Sequence, residues 1–460
     1  MSPADSHGKS SKSSKIRSHG DGIVHHPKPK TESKRRKKRR TELTSTHPAP
    51  PSFAHGSGAS EHPIRLLHNV TLRFLGDETK AGLLLIGVAI LALLVANSPL
   101  QKTYLHLSHA EFGPASLGLH LSVHEWAADG LLTLFFFVVG LELKTEFVTG
   151  ALRDMREAAL PMLAAAFGMV GPALLYVLFQ FASGGEAYHG WAVPTATDIA
   201  FAVALLGVFG HGLPPAARTF LLTLAVVDDL LAIIVIAVFY SSALNFAALA
   251  GALATIAVFA FLVNKRITSP FILIPIGVLA WALMLNSGVH ATIAGVAMGL
   301  VVPAKRREDG GQLTHDLVKK VNPWSAGLAL PVFAFFAAGV PVLGAEGGLS
   351  GALTDPVSFS IAFALPFGKL IGIWGSVALL IRFTRLRLGN GVDLPDIAAI
   401  ALLAGIGFTV ALLVANLAFT DETEAFHASF GVILGTFTAA ILGSAALYHR
   451  THTRVRGSKA

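Results

Sequence analysis

Four aspartates and one lysine lie inside long apolar stretches of this 460-residue chain: Asp129, Asp198, the adjacent pair Asp228-Asp229, and Lys369. A charge at the centre of a bilayer costs about 2.5–3.5 kcal/mol even on lenient insertion scales, so such groups are either paired or functional. Lys369 can pair with one aspartate, and the others need a different reason to be there. Asp228 and Asp229, in the stretch LAVVDDLLAI, point roughly 100° apart on a helix. Neighbouring carboxylates in low dielectric oppose each other's ionisation, and carboxylate oxygens also suit a small hard cation. The same oxygens can hold a proton or a metal cation, but not readily both. That competition is the chemical core of cation/proton exchange. Glu142 and Glu146 lie near the far end of the segment that begins around Asp129.

Two stretches read as interrupted helices. PTATDIAF (Pro194–Phe201) clusters Pro, Thr and Asp in apolar sequence, and AGIGFT (Ala404–Thr409) places two Gly two residues apart. Either alone suits a kinking Pro or a packing Gly. Paired interruptions in corresponding positions point to the mid-membrane site of a secondary transporter, where broken backbone is lined by protein and water.

The elements that must position these residues are membrane spans. The chain is 53% hydrophobic and 14% charged, against about 25% charged in soluble globular proteins. It has no Cys, which excludes disulfides, zinc-thiolate sites and thiol catalysis. A span needs about 20 residues. Twelve candidates follow one another, near 80–98, 125–145, 157–182, 191–209, 217–240, 247–263, 270–285, 289–304, 324–343, 356–381, 394–418 and 427–448. Alternate connections, with the C-terminal tail, hold 18 Lys/Arg, while the opposite set holds only Lys102. The positive-inside rule then predicts both termini in the cytoplasm.

The net charge of +8 divides into +9 over residues 1–80 and −1 over the remainder. Residues 1–62, with the run Lys34–Arg40, are too polar to bury a core, which predicts a disordered basic cytoplasmic tail. Pro63–Phe74 has an apolar helical face suited to the membrane surface. The tail is either a plain solvated extension or a segment attached electrostatically to anionic lipid, at roughly 1 kcal/mol per basic residue near the surface. Nucleic acid is not expected, because aromatics are not interleaved with the charges. The transmembrane domain is read as 63–450 and a short C-terminal tail as 451–460. Between the first two spans, Leu117, Leu119, Leu121 and Val123 alternate with small or polar residues, which predicts half of a short hairpin. An exposed strand edge near 115–124 could join two copies as a homodimer.

With these residues in view, the chain resembles the NhaA-type sodium/proton antiporter family over about 64–450. The matching segments are VGLELKTEF (139–147), PTATDIAFAV (194–203), LAVVDDLLAIIVIAVFY (224–240), SGVHATIAG (287–295), GKLIGIWG (368–375) and GIGFTVALLVANLAF (405–419). The resemblance implies an all-α polytopic membrane protein of about twelve helices, with inverted-topology repeats and two discontinuous helices. It implies a bacterial inner-membrane antiporter that expels Na+ or Li+ in exchange for H+, without a cofactor. Asp228 and Asp229 would carry the ion and the proton. Thr197 and Asp198 would lie at the first break, with Asp198 compensating positive helix ends. Lys369 would balance charge there and pair with Asp228 in one state. Asp129, Glu142 and Glu146 match positions tied to the inner funnel or pH response. The resemblance does not extend to the stretch before Pro323-Trp324. There Lys319, Lys320, Val321 and Asn322 replace the family's acid and histidines, and Ala337 replaces a usual Asn.

Two other functions compete. A sodium-coupled organic-anion symporter on the same plan would need a larger polar cavity. An intramembrane aspartyl protease needs two Asp on separate helices. Asp228 and Asp229 are consecutive, and GNGVD (Gly389–Asp393) sits in a loop.

Overall fold

The computed structural model describes residues 78–241, 244–305, 311–342 and 348–457. The expected tail 1–62, its basic run and the stretch Pro63–Phe74 lie outside the described residues. What is described is helical apart from one two-stranded sheet. In chain order the main helices are α1 (Glu78–Ala96), α2 (Gln101–Ser108), α3 (Leu132–Val148), α4 (Met155–Ser183), α5 (Ile199–Phe209), α6 (Pro215–Phe239), α7 (Phe246–Asn264) and α8 (Pro270–Leu285). They continue with α9 (Thr292–Val301), α10 (Leu313–Trp324), α11 (Leu330–Ala337), α12 (Pro356–Phe363), α13 (Ser376–Phe383), α14 (Leu394–Ala404), α15 (Phe408–Ala418) and α16 (Glu422–Gly457).

Among the described residues, six helical stretches are long and apolar enough to cross a membrane, one of them the continuous run Pro356–Phe383 from α12 to α13, or up to eight if each of two bent pairs counts as one span. The architecture is that of an all-α polytopic membrane protein. The other four expected spans fall on shorter helices. The segment at 125–145 enters through a π-helical turn, Trp126–Leu131, before α3. Those at 270–285 and 289–304 are α8 and α9, and that at 324–343 combines a π turn, Ser325–Ala329, with α11. Many large apolar side chains point outward, among them Phe181, Phe246, Phe271 and Phe383, the last two 90% and 76% exposed. Helices apolar on every face fit a hydrocarbon surround.

Side chains form two main apolar clusters. The larger joins α1, α3, α4, α5, α6 and α11 to α16; the smaller joins α7 to α10 with Leu141 of α3, around Ile256, Phe259, Met284 and Met298. The expected hairpin exists but is shorter than the alternation suggests. Glu111–Phe112 pairs antiparallel with Leu121–Ser122, Phe112 opposite Leu121. Residues Ala115–Leu117 form a 3-10 turn that closes on Gly118 at φ +67°, so Leu117 lies in the turn rather than a strand. A left-handed residue there ends the extended run.

Lys369 lies between two π turns, Ala364–Gly368 and Leu370–Gly375. Pro366 supplies no amide hydrogen and crowds the preceding turn, which favours the wider winding. This wound segment lies against α4 with almost nothing between the backbones. A Cβ on Gly372 would sit 2.3 Å from the carbonyl oxygen of Phe167, and one on Gly171 would sit 2.5 Å from that of Gly368. Small residues allow this approach in membrane bundles. Gly372→Ala is expected to destabilise the protein by about 1–3 kcal/mol through overpacking, read as a lower unfolding midpoint in detergent. Gly87→Ala, where a Cβ would meet nothing within 4 Å, is expected to leave the midpoint unchanged or slightly raised.

Candidate functional site

The two interrupted segments meet. The first is a 3-10 helix, Tyr188–Thr195, then an extended stretch at Ala196, then α5, with a bend of 41°. The second is α14, the link Gly405–Gly407, then α15, with a bend of 49°. Breaking a helix in an apolar bundle exposes amide donors at each new N-terminus and carbonyls at each new C-terminus, and all of them need partners.

Asp198 answers most of that need. Its Oδ1 accepts from the amide of Phe201 at 3.0 Å, capping α5. Its Oδ2 accepts from the amide and the hydroxyl of Thr409 at 3.1 and 2.7 Å, capping α15 from across the bundle. One carboxylate thus faces two helix N-termini, each carrying about half a positive charge. Its own amide donates to the carbonyl of Ile406 at 2.6 Å, and the Thr197 hydroxyl donates to the carbonyl of Ala404 at 2.7 Å. Thr197, Asp198 and Thr409 are all buried.

The helix α6 carries Asp228 and Asp229, and it packs against α5 and α14. Lys369 Nζ donates to Asp228 Oδ2 at 2.7 Å, and both side chains are fully buried. Lys369 is placed by the close seating of its neighbours Gly368 and Gly372 on α4. Gly405 brings the second break against the carbonyl of Leu365 in the same wound segment. Asp229 is also buried. Among the described residues, Asp228 Oδ1 and Asp229 Oδ2 meet no hydrogen-bond donor. Buried carboxylate oxygens without a donor favour a proton or a cation. Among the described residues no three His, Asp or Glu side chains converge as a resident metal site.

Of the remaining expected residues, Asp129 and Glu146 stand apart from this pair. Asp129 sits in the π turn before α3, with Oδ1 3.4 Å from His290 Nδ1. Its backbone carbonyl accepts from the Trp281 indole at 2.8 Å. His290 therefore provides a second basic partner for a membrane aspartate, beyond Lys369. Glu142 is exposed on α3. Glu146, half-buried, accepts from the amide of Ala151 at 2.7 Å and holds the turn after α3. The structure thus brings Asp228 and Lys369 together and Thr197 and Asp198 to the crossing, with Glu142 within electrostatic reach of Asp229, while Asp129 and Glu146 make other contacts. Sequence reasoning missed His290 and Thr409 as partners. Thr409 had a readable signal: it follows the Gly-x-Gly break at the second position of a new helix, where a free amide needs an acceptor.

A cavity of about 420 Å³ opens beside the first turns of α6, lined by Ala216, Thr219, Phe220 and Thr223 on one side and by Arg387 to Asn390 on another. Thr223 is five residues from Asp228, about 7.5 Å of helix rise.

The chain is similar to known proteins over most of its length. The family model described as Na+/H+ antiporter 1 matches residues 72–447. A protein named Na(+)/H(+) antiporter NhaA 3, from Streptomyces coelicolor, is 50% identical over 386 residues, covering 83% of this chain and 81% of that one. One named Na(+)/H(+) antiporter NhaA 1, from Clavibacter michiganensis, is 48% identical over 419 residues, covering 88% and 95%. Na(+)/H(+) antiporter NhaA from Mycolicibacterium smegmatis is 50% identical over 382 residues, covering 82% and 87%. With the family model spanning most of the chain and about half of the aligned residues shared with relatives that it covers over 81% and 95% of their length, the protein belongs to the Na+/H+ antiporter 1 family.

Proposed function

We propose that this protein exchanges Na+ or Li+ for H+ across a bacterial cytoplasmic membrane, driven by the proton gradient, and so regulates cytoplasmic sodium and pH. The observation that carries the reading is the buried pair on α6. One carboxylate is held by Lys369, and its neighbour presents an oxygen that no donor among the described residues reaches. Hard oxygen ligands of this kind suit a small cation. Asp229 takes the cation, Asp228 and Lys369 exchange protons and partners, and a rocking motion about the two breaks exposes the site to each side in turn. In the inward-facing state Na+ displaces protons. In the outward-facing state protonation expels Na+. Where a second proton moves, transport carries net charge and responds to voltage.

The proposal extends to the whole molecule. Twelve spans, with 3–5 and 10–12 as inverted-topology halves, place the two breaks in corresponding positions and both termini in the cytoplasm. Residues 63–450 form the transporting domain, and 1–62 form a disordered basic tail held near anionic lipid. The hairpin edge joins two copies as a homodimer. Asp129, Glu142 and Glu146 contribute to the inner funnel or to pH response. Family membership favours antiport over organic-anion symport, and the adjacency of Asp228 and Asp229 disfavours an aspartyl protease.

Asp229→Asn is expected to abolish Na+-induced proton release in everted vesicles while the protein still inserts at normal amounts; a normal proton release would overturn the reading. Collapse of a preset pH gradient on adding NaCl without organic solute separates antiport from symport. Lys369→Ala leaves Asp228 buried without its cation, and removing one partner of such a pair costs about 3–5 kcal/mol. That variant is expected to extract with a lowered unfolding midpoint. Combining it with Asp228→Asn is expected to recover most of the midpoint, because no lone charge remains.

A further inference from the structure

The end of α14 away from the crossing is held by a charge cluster that the exchange chemistry does not use. Asp396, fully buried in the first turn of α14, accepts from Arg450 Nε at 2.9 Å and also from Arg454. Its Oδ2 also accepts from the amide of Asp393 at 2.9 Å, closing the start of the helix. Arg454 further donates to Asp393 Oδ2 at 3.0 Å and to the carbonyl of Gly391 at 2.8 Å. Arg450 and Arg454 are one helical turn apart on α16, so they present to the same side.

A second contact fixes the register of the two helices. A Cβ on Gly443 of α16 would sit 2.8 Å from a methyl of Leu403 and 3.1 Å from its amide nitrogen, so Gly443 is seated directly on α14. From Gly443 to Arg450 is seven residues along α16, and from Leu403 to Asp396 is seven residues back along α14. The helices therefore run antiparallel with matched contacts about 10.5 Å apart. The next residue after Leu403 is Ala404, whose carbonyl accepts from Thr197 at the crossing. A helix is stiff over this length, so an axial displacement at Asp396 moves the carbonyl of Ala404. The loop Arg387–Asn390, just before the cluster, lines the cavity beside the first turns of α6.

We infer that Asp396 is a positioning residue for ion exchange: gripped by Arg450 and Arg454, it lets the C-terminal helix set the axial placement of α14 and, through Ala404 and Thr197, the geometry of the helix crossing beside Asp228 and Asp229. This rests on the proposed exchange site. Loosening the grip disturbs the crossing and weakens cation binding without removing a group that touches the ion. Because protons compete with the cation, weaker binding also shifts the working range to more alkaline pH.

The test is Na+-dependent exchange by the full chain in everted vesicles, normalised to folded protein. Asp396→Asn is expected to raise the half-saturating Na+ concentration roughly threefold or more, since small misplacements are costly in organised sites. It should move the pH profile at fixed Na+ to the alkaline side. Arg454→Gln is expected to shift both in the same direction, less strongly. A purely structural role would lower the amount or the unfolding midpoint and leave exchange per folded molecule unchanged in both respects, and that result overturns the inference. If Asp396→Asn does not accumulate in the membrane, Arg454→Gln alone decides between these two results. Asp229→Asn run in parallel separates the two readings: if it still exchanges, the proposed site is wrong, and if it is silent while the Asp396 and Arg454 variants match the unaltered chain, only the positioning inference falls.

Discussion

An unpartnered amide, carbonyl or charge in an apolar bundle costs several kcal/mol, and the irregular parts of this protein follow from that constraint. Two helices are broken where a soluble protein could leave their ends to water. Here the ends must satisfy one another. Asp198 caps α5 and α15 together, its amide takes the carbonyl of Ile406, and Thr197 takes that of Ala404. The crossing is consequently a closed hydrogen-bond circuit centred on one side chain. A segment held this way has few alternatives, which is what a mobile element needs if it is to move as a unit.

The charged pair on α6 obeys the same constraint by different means. Asp228 and Lys369 neutralise each other in full burial. Asp229 has no such cation among the described contacts, and its environment is not arranged to hold a permanent negative charge. Asp228, paired through one oxygen only, and Asp229, with an oxygen that meets no donor among the described residues, are the arrangement that the proposed exchange would use. Stability alone does not call for charges at these positions, since well-packed apolar residues often serve as well as a buried ion pair or better.

Much of this was readable beforehand. The apolar helices follow from runs of apolar sequence, and the breaks at Pro194–Phe201 and Ala404–Thr409 follow from Pro and Gly placed where a helix cannot continue. Asp228, Asp229, Asp198 and Lys369 stood out because charge is rare in such segments. What could not be read was pairing over long separations. Asp198 and Thr409 are 211 residues apart, and Arg450 and Asp396 are 54 apart. The pairing of His290 with Asp129 is not legible either, because a lone histidine in apolar sequence carries no signal of its partner. The hairpin was shorter than its alternating residues suggested, because Gly118 turns the chain before the second strand begins.

The π turns on either side of Lys369 have a consequence for how the chain can vary. Each such turn is a helix carrying one residue more than a regular winding would. Deleting that residue would leave the segment helical and apolar, fully able to span, yet everything beyond it would rotate by roughly 100° relative to α4. Lys369 would then face away from Asp228 with no change in composition. Residue count here is therefore as strict as residue identity. Insertions and deletions in this segment are a route by which a descendant could lose transport while keeping every charged group.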